Sequence, residues 1–129
     1  MIVVDTSVWV DALQRPAGNT SARLERLIDA EVVTLAAPVR MELMAGVAPH
    51  QRAAVRRALS ALPVLVPTQD TWSIAEQWVA PAADRGERFA MADLLIAALA
   101  EEIGALVWSL DSDFVRLETL GYVRGYHAI

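Results

Sequence analysis

The sequence predicts a three-layer α/β/α domain with a central, mainly parallel sheet of four or five strands. Three observations predict it. Short runs rich in Val, Leu and Ile occur at residues 2–4, 32–36, 64–66 and 105–110, helical apolar spacing fills the intervals, and one interval, Phe89 to Ile103, is apolar nearly all round. Strands that alternate with helices pair in parallel and are covered on both faces. A helix apolar on every side belongs in the interior of such a stack.

Taken in order, Ile2-Val3-Val4 is a buried first strand that stops at Asp5-Thr6-Ser7, groups that resist burial. Val8, Trp9 and Leu13 give a short helix from Ser7 to Leu13, broken by Pro16, Gly18 and Asn19. Thr20 or Ser21 is the expected cap of a second helix through about Glu31, with Leu24, Leu27 and Ile28 on one face. After the strand Val32 to Ala36, Pro38 opens a helix over Val39 to Ala45 that Gly46 closes. A basic helix from about Pro49 to Leu62 sets Arg52, Arg56 and Arg57 against Val55, Leu59 and Leu62.

A third strand, Val64 to Val66, leads through the turn and cap Pro67 to Asp70 into a helix ending near Asp84, with a disturbance expected at Pro81. Arg85 to Arg88 is a charged loop ahead of the central helix, which Gly104 ends. The fourth strand, Ala105 to Leu110, stops at Asp111-Ser112-Asp113-Phe114, and Tyr122, Val123, Tyr126 and Ile129 suit an added edge strand.

A chain of 129 residues, 55% hydrophobic, fits a single domain spanning 1–129. The absence of cysteine excludes disulfides and thiolate metal sites and makes a reducing compartment the default. No basic region precedes the first apolar run, and Asp5 interrupts it too early for a signal peptide. The longest unbroken helical apolar run, Leu94 to Ala100, falls far short of the roughly 20 residues that cross a bilayer. A cytoplasmic location without a membrane partner is expected. A net charge of −5 argues, by itself, against a nucleic-acid partner. All eleven basic residues are arginine, which a GC-rich coding sequence accounts for more simply than phosphate binding does.

Five acids stand apart from the solubilising majority. Asp5 ends the first strand, Glu42 lies about one turn into the helix after the second, Asp93 opens the most apolar helix, and Asp111 and Asp113 follow the fourth strand. In a parallel sheet, strand carboxyl ends and the starts of the following helices share one edge, so these five should converge. Carboxylates gathered there repel one another and resist desolvation; either some stay protonated or a cation binds. With only oxygen donors at hand, that cation is a hard one, Mg²⁺ or Mn²⁺. Such a site suits hydrolysis or transfer at phosphorus. Bound cations would also answer the charge objection by reversing the sign locally.

Four motifs in order, Val4-Asp5-Thr6-Ser7, Glu42 within Arg40 to Gly46, Ala92-Asp93-Leu94-Leu95-Ile96-Ala97-Ala98 and Asp111-Ser112-Asp113-Phe114, resemble those of PIN-domain ribonucleases, specifically VapC-type toxins of type II (VapBC) toxin–antitoxin pairs. The resemblance spans essentially the whole chain. It implies an Mg²⁺- or Mn²⁺-dependent endoribonuclease in which Asp5, Glu42, Asp93 and an acid of the last motif hold the ions; Asp111, nearer the strand end, is the preferred acid, and Asp113 supports it or is the alternate ligand. Thr6 or Ser7 would hydrogen-bond a carboxylate or the substrate. Ser109 stands where the family often has Thr, which keeps a hydroxyl there. A homodimer and a cognate VapB-like antitoxin that obstructs the site are implied as well.

Simpler roles compete at each position. Asp5 can cap the helix after it, Asp111 or Asp113 can form a turn, Thr6 and Ser7 can serve only as capping hydroxyls, and Glu42 can be a surface residue. Asp93 resists such a reading, because an acid before so apolar a helix is costly unless paired. Arg52, Arg56 and Arg57 read as a solvated face first, with RNA contact the secondary reading. Arg85 and Arg88, ahead of the Asp93 helix, are the better candidates for RNA contact. The four tryptophans read as core or interface, and His50 and His127 as surface. Two rival functions remain: an Mg²⁺-dependent phosphatase with Asp5 as nucleophile, which lacks the expected second Asp two residues on, and a non-catalytic domain that binds a partner through its acidic pocket.

Overall fold

The computed structural model describes residues 1–127. Its elements follow in the order β1 (Ile2–Val4), α1 (Thr6–Gln14), α2 (Asn19–Asp29), β2 (Val33–Ala36), α3 (Ala37–Gly46), a 3₁₀ turn (Pro49–Gln51), α4 (Arg52–Ser60), β3 (Val64–Leu65), α5 (Gln69–Asp84), α6 (Met91–Ile103), β4 (Leu106–Trp108) and α7 (Ser112–Thr119). The sheet has the order β3-β2-β1-β4 and every pairing is parallel. Helices flank this four-stranded sheet, as the alternation of strands and helices requires.

Packing places the core where the apolar runs predict. Val3, Val4, Leu35 and Ala36 are fully buried, and α6 buries every residue from Leu94 to Ala100. Gly104 takes a left-handed conformation, φ +64°, which lets the chain turn sharply from α6 into β4. Thr68 and Thr71 form a capping box at the start of α5. Thr71 also donates to Glu102 of α6 at 2.5 Å, which ties the two helices together.

Several local expectations are corrected. Gly18, not Thr20 or Ser21, caps α2, and α5 runs unbroken through Pro81. The basic segment divides into the 3₁₀ turn and α4. Residues 112–119, where the sequence predicts no element beyond the stop of the fourth strand, form α7, whose buried Phe114 and Leu117 are three apart on one face. The edge strand reduces to one parallel bridge between Val107 and Gly125, with Tyr126 N–H donating to Val107 O at 2.8 Å. Ile129 lies outside the described residues.

Candidate active site

The register of the sheet builds the site. Val4 pairs with Trp108, so the next residues along, Asp5 and Ser109, emerge side by side at the carboxyl edge. The Asp5 N–H donates to Trp108 O at 2.8 Å and locks that alignment. On the other side of β1, Val3 pairs with Thr34, so α3 starts level with Asp5.

Asp5 is only 5% exposed, and it occupies the N-cap position of α1 without making a side-chain cap bond. Instead its Oδ2 accepts from Ser7 Oγ at 2.8 Å and Ser109 Oγ at 2.7 Å. Each hydroxyl has one proton and gives it to the same oxygen, so the 3.2 Å approach of the two serines is enforced by a shared acceptor. The hydroxyls in turn accept backbone protons, Ser7 from Leu110 at 2.9 Å and Ser109 from Asp111 at 3.0 Å. Two hydroxyls therefore fasten the end of β1 to the loop after β4. The simple capping role of Asp5 gives way to this network.

Thr6 Oγ1 donates to Glu42 Oε1 at 2.8 Å, joining α1 to α3, and Glu42 is exposed. Asp111 does act as a cap: its Oδ1 accepts from Asp113 N–H at 2.9 Å at the start of α7. Asp113 meets Arg116 Nη2 at 2.6 Å, and the same guanidinium pairs with Glu87 and lies 4.6 Å from the centre of the Phe89 ring. Those contacts, Asp113 first and Glu87 second, hold the Arg116 proton more firmly than usual. Arg116 and Glu87 were not singled out from the sequence. The spacing of Asp113 and Arg116, one turn apart in a helix, is the signal that finds them once α7 is recognised.

Asp93, in the first turn of α6, brings the five acids into one electrostatic field. Burial, then the charges of Asp5, Asp113, Asp111 and Glu42 in decreasing order, push its carboxyl up to about 7. Among the described residues, no three His, Asp or Glu side chains stand in a ready-made metal-holding arrangement. The donor set is nonetheless wholly hard oxygen, and Arg116, committed to Asp113 and Glu87, does not offset the remaining charge. That combination fits a hard divalent cation, which Asp5, Glu42, Asp93 and Asp111 would hold. Arg85 and Arg88 are exposed and form no ion pair among the described residues; Arg88 borders a small cavity with Glu87, Phe89 and Leu94.

An all-parallel α/β domain with acids along the carboxyl edge of its sheet has known counterparts: a family model described as the PIN domain matches residues 2–120. Ribonuclease VapC11 of Mycobacterium tuberculosis is 31% identical over 119 residues, covering 88% of this chain and 89% of that protein. The chain belongs to the PIN-domain family and, within it, to the VapC ribonucleases. Solved structures share the fold at lower identity. The VapBC2 complex of Rickettsia felis bound to a promoter DNA fragment gives a TM-score of 0.82 at 19% identity, with both chains fully covered. DNA-bound VapBC of Salmonella typhimurium gives 0.80 at 21%, covering 97% of this chain and 96% of that one. VapC20 of M. tuberculosis, a sarcin-ricin loop cleaving toxin, gives 0.68 at 22%, covering 90% and 94%. No helix among the described residues is long and apolar enough to cross a membrane.

Proposed function

We propose that this protein is the toxin of a type II toxin–antitoxin pair, an Mg²⁺- or Mn²⁺-dependent endoribonuclease that hydrolyses RNA phosphodiester bonds. The observation that carries the reading is the gathering of Asp5, Glu42, Asp93, Asp111 and Asp113 at one edge of the sheet, where burial first, and the other four charges after it, push the Asp93 carboxyl up to about 7. Kinship with VapC ribonucleases supports RNA as the substrate.

In this reading Asp5, Glu42, Asp93 and Asp111 hold the metal, with Asp113 the further carboxylate beside them. When bound, the ion supplies an activated water and offsets charge developing on the phosphate. The protein's part is to present the donors. Ser7 and Ser109 fix one oxygen of Asp5, Thr6 orients Glu42, and the Asp113–Arg116 pair sets the rotamer of Asp113. Asp93 keeps a proton on its carboxyl up to about pH 7 in the metal-free protein and must release it to become a ligand. No side chain is needed as a nucleophile, and Asp5 Oδ2, committed to two hydroxyl donors, is poorly disposed to attack.

A cognate VapB-like antitoxin is the proposed inhibitor, in keeping with the VapBC complexes among the structural neighbours. A homodimer is proposed as well, and the exposed apolar residues Trp72, Val79 and Met91 are available to be covered in it. Purified protein incubated with a mixed RNA pool should cut it when Mg²⁺ or Mn²⁺ is supplied and leave it whole in a chelator. Intact RNA under both metals would refute the nuclease assignment and favour the non-catalytic binding role.

A further inference from the structure

From Leu43 to Gln69 the chain contains no aspartate or glutamate, yet it carries Arg52, Arg56 and Arg57. Those three charges leave the rest of a net −5 chain at −8. All three arginines are exposed on α4, whose Val55 and Leu59 are buried beneath them. None makes an ion pair or side-chain hydrogen bond among the described residues, in contrast to Arg15 with Asp11 and Arg116 with Asp113 and Glu87.

Of the three charges, the helix dipole favours only Arg57, in the last turn. Arg52 is the first residue of α4, where the helix dipole disfavours a cation, and the first turn has no acid to compensate. Arg52 and Arg56 are one turn apart, where like charges repel. By contrast, the segment Asp84 to Arg88 contains two acids, Asp84 and Glu87, alongside Arg85 and Arg88 and so carries no net charge in sequence. Position adds a second argument. A groove between α1 and the α3–α4 connection has both Glu42 and Gln51 in its wall, and Gln51 directly precedes Arg52. The groove therefore joins the acidic edge to the start of the basic helix.

We propose that Arg52, Arg56 and Arg57 form a contact surface for the phosphate backbone of RNA, with the strand running between this face and the acidic edge. The proposal rests on the ribonuclease reading, which supplies the polyanion. Phosphate contacts of this kind give affinity and register without base specificity.

The test is fluorescence anisotropy with a labelled single-stranded RNA pool and wild-type protein in a chelator, where no metal-dependent cleavage can intervene. Changing all three residues to Gln should weaken binding about tenfold and lower the slope of log affinity against log salt by about 2, since each single-strand contact contributes about 0.7. The triple Lys variant should keep most of the affinity. Cleavage by the triple Gln variant should show a raised KM with kcat retained. Should the triple Gln variant fail to fold by circular dichroism, Arg56→Gln and Arg57→Gln singly should each lower the salt slope by about 0.7. Unchanged affinity and slope would overturn the proposal, as would RNA binding that persists while binding to polyglutamate is lost, the mark of an acidic protein partner. If the wild type binds RNA through α4 but cuts none with either metal, the nuclease reading fails and the binding face stands.

Discussion

Asp5 and Asp93 face the same edge of the sheet, and both border apolar runs, yet their surroundings differ in kind. Asp5 is the deeper, and it receives hydroxyl protons from Ser7 and Ser109. Asp93 is only partly buried, makes no side-chain hydrogen bond among the described residues, and faces four other acids. Depth of burial therefore does not rank the two. Hydrogen-bond donors compensate a buried carboxylate, while like charges and desolvation act together against one that lacks donors. In the proposed metal site, Asp5 would be a ligand prepared in advance and Asp93 one that a cation must complete.

The largest effect should come from erasing either charge. Asp5→Asn or Asp93→Asn should each lower RNA cleavage at least about 100-fold, the scale of a lost electrostatic contributor at a reacting centre. Circular dichroism should report an intact fold in both. A cleaving Asp93→Asn variant would break the assignment of Asp93 as a ligand.

Removing the support while keeping the acid separates the two sites. Ser7→Ala together with Ser109→Ala should reduce Mg²⁺ affinity, measured by calorimetry, or activity by about 10–100-fold, as loss of groups that orient a ligand typically does. Each single change should cost less, because the other hydroxyl still holds Oδ2. Unaltered Mg²⁺ affinity in the double variant would show that the preparation of Asp5 is irrelevant.

Asp93 should reveal itself through pH. Its folded-state value of about 7 lies above the ordinary 3.8, so the native protein binds more protons than the unfolded chain across that window. Stability of the metal-free protein should therefore fall as pH rises from about 4 to about 7, and Asp93→Asn should remove that part of the loss. Thermal melts in a chelator at several pH values would measure it. Binding of Mg²⁺ should release a proton below about pH 7 and not well above it.

The smallest effect concerns Asp111. As the cap of α7 it should cost about 1 kcal/mol of stability on change to Ala, whether or not it also holds metal. Asp113→Ala leaves the cap oxygen in place and should weaken Mg²⁺ binding with less effect on the denaturant midpoint. An Asp111→Ala variant as stable as the wild type would defeat the cap assignment.

Much of this was legible in the residue order. Ile2-Val3-Val4 before Asp5, and the unbroken apolar stretch after Asp93, mark a buried strand end and a central helix because burial of each residue follows from its own polarity and its period. The same periodicity missed α7, since Asp111-Ser112-Asp113 reads equally as a turn and as a helix cap, and only the packing of Phe114 and Leu117 decides between them. Pro81 looked like a break because proline lacks a donor; α5 absorbs it within its last turn. The single bridge at Gly125 replaces an edge strand for lack of any further pairing among the described residues.

The residues alone determined the layering, the parallel sheet, and the convergence of five acids on one edge, because strand direction follows from the alternation of elements and helix starts must lie where strands end. Tertiary structure decided the rest. That Ser109 meets Asp5 depends on the register of β4 against β1, and that Arg116 reaches both Asp113 and Glu87 depends on how α7 docks beside the α5–α6 loop. The Ser109–Asp5 and Arg116–Glu87 contacts join residues far apart in the chain, and no local preference for helix or strand specifies their distance. The charge state of Asp93 depends on how closely its four neighbours approach, a quantity that only the packed chain sets.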